Sequence, residues 1–242
     1  MSGIIGYIGM REATPIVLEG LLKLEYQDYD SAGICTIERN KIHFRRSNGK
    51  LTNLIRLIAA VPMRGTVALG HLRQATHGKP SEINAHPHKA GPVVLVHNGS
   101  IENFLELKKE LQSKDHSFTS DTDSEVIAHL IEHKLYCGSN FEDAVRGALQ
   151  ELKGTFAICL VCETEPGKMI VAKHGSPLFI GIGDKEYFIS SGMQPVLDHT
   201  SEIISMEDGE LFIFKDDSVQ FSTISGAPLV KTSCHEGIAD ED

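Results

Sequence analysis

The order of apolar runs along the chain is the feature that most limits what it can fold into. Three consecutive helical patterns, at 101–111, 120–135 and 140–152, sit in the middle, with strand-like runs before and after them. GIIGYI at 3–8 reads as a strand, and a helix follows with Thr14 as N-cap and Pro15 at its first position. Segments 33–38 and 41–45 form a hairpin across Arg39-Asn40, 51–60 is a short amphipathic helix, and 66–70 and 93–97 are buried strands. In the second helical pattern Asp121 or Thr122 serves as cap, with Glu125 placed for a capping box. Beyond Gly154 only strands are expected, at 155–163, 168–173, 178–183, 186–190, 202–206 and 210–215. Hairpins and bunched helices do not make a doubly wound parallel sheet, so the expectation is a layered α+β fold. No repeat or Pro/Gly/Ser-rich linker divides the sequence. Residues 1–225 are expected to form one domain, and 226–242, which ends in the acidic GIADED, a poorly ordered linker or tail.

Composition narrows the function. A net charge of −10, with no Lys/Arg stripe, argues against non-specific nucleic-acid binding, which needs a basic footprint. There is no long apolar run for a membrane helix, and the opening stretch lacks the basic start of a signal peptide. Five scattered cysteines make no disulfide framework, which points to a reducing, cytoplasmic setting. Cys159 and Cys162 form a lone C-x-x-C inside an apolar strand. Positions three apart on a strand face opposite ways, so both are expected in the core.

The segment HLRQATHGKPSEINAHPHKAGP between two buried strands is where polar chemistry concentrates. Arg73 offers a fork for a carboxylate, near Thr76, His77 and Gly78. In VHNGSIEN, Asn98 supplies an amide donor and Gly99 a bare backbone N–H, which together could form an oxyanion hole; Asn-Gly is also a common turn signal. Asp121 and Asp123 could accept from an ammonium group or cap the following helix. His77, His86, His88 and His97 could ligate a metal, but no H-E-x-x-H spacing is present, and neither metal nor cofactor is expected. His71 and His86 read as satisfied structural histidines.

Taken together, GIIGYIG, VLEGLLKLEY, YDSAG, GHLRQATHGKPSEINAHPH, VHNGSIEN, SDTDSEVIAHLI, GSPLFIGIG and EDGEL carry a resemblance over roughly residues 2–215. The chain resembles the N-terminal glutaminase domains of glucosamine-6-phosphate synthases, class II glutamine amidotransferases of the N-terminal-nucleophile hydrolase superfamily. The resemblance implies a four-layer αββα sandwich that hydrolyses L-glutamine to glutamate and ammonia. It places the nucleophile at Ser2, whose own α-amine acts as general base once Met1 is removed; the reference pKa of such an amine is about 7.7–8.0. It assigns Asn98 and Gly99 to the oxyanion hole, Arg73 to the substrate carboxylate, Asp123 to its ammonium, and Thr76 and His77 to the pocket lining. It also implies a sugar-isomerase (synthase) domain as partner, in cis or trans, beyond the end of this sequence, and a homodimer.

Five positions depart from the family pattern. Ser2 stands for Cys, Gln27-Asp28 for Arg-Gly, Gln74 for Trp, and Ser100 for an aliphatic residue. A hydroxyl is a poorer nucleophile than a thiol at neutral pH, and a carboxylate at Asp28 would favour the protonated amine. Two other functions therefore stand beside hydrolysis: a glutamine- or glutamate-binding regulatory module that keeps Arg73 and Asp123, and the histidine metal site.

Overall fold

The computed structural model describes residues 2–25, 29–215, 218–232 and the backbone of 234–235. Fourteen strands and six helices follow one another in these residues. Strand β1 (Gly3–Ile8) leads into helix α1 (Ala13–Lys23). The hairpin β2 (Ser31–Glu38) and β3 (Lys41–Asn48) is followed by α2 (Leu51–Ala60), β4 (Val67–Arg73), β5 (His88–Ala90) and β6 (Val93–Ile101). Three helices come next: α3 (Phe104–Gln112), α4 (Ser124–Tyr136) and α5 (Phe141–Glu151). Then come β7 (Gly154–Cys162), β8 (Lys168–His174), β9 (Phe179–Gly183) and β10 (Glu186–Ser190). The short α6 (Gln194–Leu197) precedes β11 (Glu202–Ser205), β12 (Glu210–Lys215), β13 (Ser218–Thr223) and β14 (Cys234–His235).

The strands make two antiparallel sheets. One has the order β14-β11-β9-β10-β1-β4-β2-β3 and the other β13-β12-β8-β7-β6-β5. Alternation along the strands builds the layers. In β1, Ile4 and Ile8 enter the core between the sheets, while Ile5 and Tyr7 join α1 and α2 on the outer face. In β7, Ala157, Cys159 and Val161 face the other sheet, while Ile158, Leu160 and Cys162 pack under α4 and α5. Three apolar layers thus separate four layers of secondary structure, the αββα sandwich expected. Each large aliphatic side chain fully buried in them contributes on the order of 1.5–3 kcal/mol. Cys159 and Cys162 do face opposite ways into two cores.

Several local expectations give way to longer-range contacts. Thr14 does not cap α1; Glu12 holds that position, and the Thr14 hydroxyl donates to the Met63 carbonyl at 2.9 Å. Strand β6 continues through Asn98-Gly99 to Ile101, because β7 pairs with it residue for residue from Val93↔Cys162 to Ile101↔Gly154. Helix α3 consequently starts at Phe104. Asp123 immediately precedes α4 but makes no side-chain cap; the expected Thr122 supplies it, its Oγ1 accepting from the Glu125 N–H at 3.3 Å. No helix among the described residues is long and apolar enough to cross a membrane.

Candidate active site

Register brings the polar residues together. Strand β1 runs antiparallel to β4 with Gly3 opposite Leu72, so Ser2 emerges beside Arg73. Along β4, Val67 and Leu69 face the inter-sheet core, and the same alternation aims His71 and Arg73 inward. On the opposing sheet Val94 and Val96 face the same layer, and Asn98 continues their row. The edge of the apolar core therefore turns polar where the two sheets meet Ser2.

Asn98 is held in one orientation. The buried His71 donates from Nε2 to Asn98 Oδ1 at 2.9 Å and to the His97 carbonyl at 3.0 Å. Burial pushes the pKa of His71 down to about 3, so the ring is neutral near pH 7. With Oδ1 occupied, the Asn98 amide presents Nδ2 to Ser2, donating to its carbonyl at 2.9 Å. The partly exposed Ser2 hydroxyl accepts from the Gln74 backbone N–H at 3.0 Å. Gly99 has φ +137°, and a Cβ there would lie 2.1 Å from the Thr155 carbonyl oxygen, so only glycine fits this close approach.

Arg73 and Asp123 are buried charges on one cavity. Arg73 Nη2 donates to the carbonyls of His77 and Gly78, at 2.5 and 3.2 Å. Its Nη1 has no hydrogen-bond partner and lies 3.7 Å from Asp30 Oδ1. Burial works against this charge, and the carboxylates of Asp30 and Asp123 offset that effect only in part. Asp30 also accepts from the Ala75 N–H at 2.5 Å, which fixes the turn leaving β4. Asp123 Oδ2 accepts from the Ile101 N–H at 2.8 Å. Ser2, Arg73, Thr76, Gly99 and Asp123 share a small polar cavity. It adjoins a cleft of about 300 Å³ lined by Ser2, Gln74, Thr76, Asn98, Gly99 and Gly175–Pro177.

Of the residues singled out in the sequence, Ser2, Arg73, Thr76, Asn98, Gly99 and Asp123 meet here. His77 lines neither cavity: its ring packs on Phe104 with centroids 4.9 Å apart, and its carbonyl holds Arg73. Asp121 is exposed and tied to Asn84 through its backbone N–H. Gln27 and Asp28 lie outside the described residues. Sequence reasoning missed Asp30, although YDSAG carried it, and the Gly175-Ser176-Pro177 rim, whose Gly-Ser-Pro composition marks a turn.

The histidines behave differently from one another. His97 Nδ1 bonds Ser124 Oγ at 2.8 Å, and His88 Nε2 bonds Thr122 Oγ1 at 3.0 Å. His86, expected from the sequence to be satisfied, is not: it packs between His71 and, edge-on, His88, with neither ring nitrogen partnered. Burial lowers the pKa of all four rings, that of His88 to about 3. His77, His86, His88 and His97 do not converge as a ligand set; among the described residues that geometry belongs to His116, His129 and Glu132.

A two-sheet α+β sandwich thus carries a partly exposed serine ahead of its central strand, flanked by an amide donor and two buried opposite charges, a set of groups suited to a small polar molecule. The sequence matches the glutamine amidotransferase domain family over residues 71–198, and the chain belongs to that family. It is similar to the glutamine–fructose-6-phosphate aminotransferase (isomerizing) of Thermococcus kodakarensis, with 46% identity over 98% of this chain and 40% of the relative. The Clostridium perfringens enzyme of the same name is 42% identical over 97% of this chain and 38% of its own length. The chain thus spans about 40% of the length of these curated relatives. Among solved structures, the Bacillus subtilis glutamine phosphoribosylpyrophosphate amidotransferase complexed with ADP and GMP superposes with a TM-score of 0.81 at 27% identity. The match covers 93% of this chain and 50% of that one. A glutamine aminotransferase class-II domain protein from Silicibacter pomeroyi shares the fold, with a TM-score of 0.64 at 17% identity over 93% of this chain and 100% of that one.

Proposed function

We propose that this chain binds L-glutamine and hydrolyses its side-chain amide, with Ser2 as nucleophile. The observation that carries the reading is the pairing of Arg73, with its buried, unbonded Nη1, and Asp123 in one cavity that opens onto Ser2. Opposite charges held in one cavity suit the carboxylate and ammonium of a free amino acid, and the adjoining cleft leaves the side-chain amide beside Ser2.

In this reading Met1 is removed and the freed α-amine of Ser2 takes the hydroxyl proton as Oγ attacks the amide carbon. Asn98 Nδ2 and the Gly99 N–H hold the oxygen that becomes negative in the tetrahedral intermediate. The amine returns its proton to the departing nitrogen, which leaves as ammonia. Water then cleaves the γ-glutamyl ester, regenerating Ser2 and releasing glutamate. Thr76 lines the cavity, and His77 acts through its carbonyl on Arg73. The ammonia is used by a sugar-isomerase partner domain that aminates fructose 6-phosphate, as the names of the relatives imply, and the assembly is a homodimer. A cytoplasmic setting belongs to the same reading; the four described cysteines are unpaired there.

One observation favours a second reading, binding without turnover: a hydroxyl stands at position 2 where the resemblance implies a thiol. A coupled glutamate assay on wild type and Ser2→Cys separates the two. Hydrolysis is expected in both, faster with cysteine. Saturable L-glutamate binding without release from either form would establish the binding module.

A further inference from the structure

A second polar cluster lies on the outer layer, away from Ser2. His129 and Glu132 sit one turn apart on α4, and His116 comes from the turn after α3. Their ligand-type atoms all lie within 4.8 Å of one another. A single oxygen, Glu132 Oε2, faces His116 Nδ1 at 3.2 Å and His129 Nδ1 at 3.1 Å. Around a tetrahedral Zn²⁺ with bonds of about 2.0–2.2 Å, neighbouring donors stand roughly 3.3 Å apart. Both pairs are within a few tenths of an ångström of that.

The surroundings of the cluster are anionic as well. His129 faces a carboxylate at each nitrogen: Glu132 at Nδ1 and Glu125 Oε1 at Nε2, 3.6 Å away. Nε2 of this buried ring has no hydrogen-bond partner. Glu125 itself accepts from the Thr119 and Ser120 N–H groups at 2.9 and 2.6 Å. His116 Nε2 lies 3.1 Å from His133 Nδ1.

We propose that His116, His129 and Glu132 bind a divalent transition-metal ion, of which Zn²⁺ best suits imidazole and carboxylate donors, with water in the fourth position. Both Nδ1 lone pairs then go to the metal. His129 Nε2–H donates to Glu125 and His116 Nε2–H to His133, so each ligand ring is oriented by an outer partner. The ion also anchors Glu125, whose carboxylate gathers the backbone N–H groups of Thr119 and Ser120 just ahead of Asp123.

The test is calorimetric titration of chelator-treated full-length protein with Zn²⁺, repeated on His116→Ala and Glu132→Gln, with circular dichroism as the folding check. One Zn²⁺ per chain is expected, and each substitution should weaken binding by at least about tenfold. No saturable binding to wild type, or equal binding in both variants, overturns the proposal; the first result would leave protons as the only occupants of the cluster. If the variants misfold, Co²⁺ added to wild type decides: the visible absorption of a tetrahedral site supports it, and the spectrum of aqueous Co²⁺ overturns it.

Discussion

The two ends of β1 open onto clefts of nearly equal size, about 300 Å³ at Ser2 and about 320 Å³ at Ile8–Met10, yet they differ in every chemical respect. The far cleft is lined by Ile8, Gly9, Met10, Thr66, Val67, Gly167 and the exposed Lys185. Its one charge is solvated, and nothing fixes a ligand's orientation. At the Ser2 end two charges are buried, and one amide is pinned by a neutral histidine. The difference teaches that room alone does not make a site. Polar groups that the fold has already desolvated and aimed do, since they need no reorganisation when a ligand arrives.

The comparison can be broken or sharpened by substitution. Ser2→Ala should abolish ammonia release, measured with a coupled glutamate assay, while leaving glutamate binding intact. Asn98→Ala should lower kcat by about 10²–10³ with little change in KM, because the amide acts on charge that develops only in the transition state. Arg73→Ala should raise KM by about thirtyfold or more, corresponding to a loss of about 2 kcal/mol. Arg73→Lys should recover little of this, since a point charge does not replace a fork. At the other end, Lys185→Ala should change kcat/KM by less than about twofold. A larger change there would dissolve the contrast between the two ends.

The Ser2 end also makes stability depend on pH. His71, His86, His88 and His97 have pKa values lowered by burial, so the unfolded chain binds more protons than the folded one below about pH 6.5. Their contribution is complete above that pH and is lost as the pH falls toward about 3, where His71 and His88 titrate in the fold. Urea midpoints should therefore fall from pH 7 to pH 5, more steeply than in a His86→Phe variant.

Much of this end was legible in the sequence, for reasons local to each residue. GIIGYI reads as a buried strand because both of its faces are covered, and Arg73 and Asn98-Gly99 stood out against apolar runs. What escaped was decided at long range. Asn-Gly reads as a turn, but nine paired positions on β7 carry β6 straight through it. Thr14 is a good N-cap by type, but Met63 offered its hydroxyl a better partner. Glu125 reaches back as a capping-box residue does, but to Thr119 and Ser120 rather than to the residue before α4. The His116, His129 and Glu132 cluster joins two elements, and no spacing in the sequence announces it.

The central claim is that the α-amine of Ser2 serves as the base. The direct measurement is ammonia release from L-glutamine by chains whose first residue is established by intact mass, comparing Ser2-initiated protein with protein retaining Met1. Saturable release from the first and none above background from the second is the predicted result. Equal release from both, or release from neither, would contradict it.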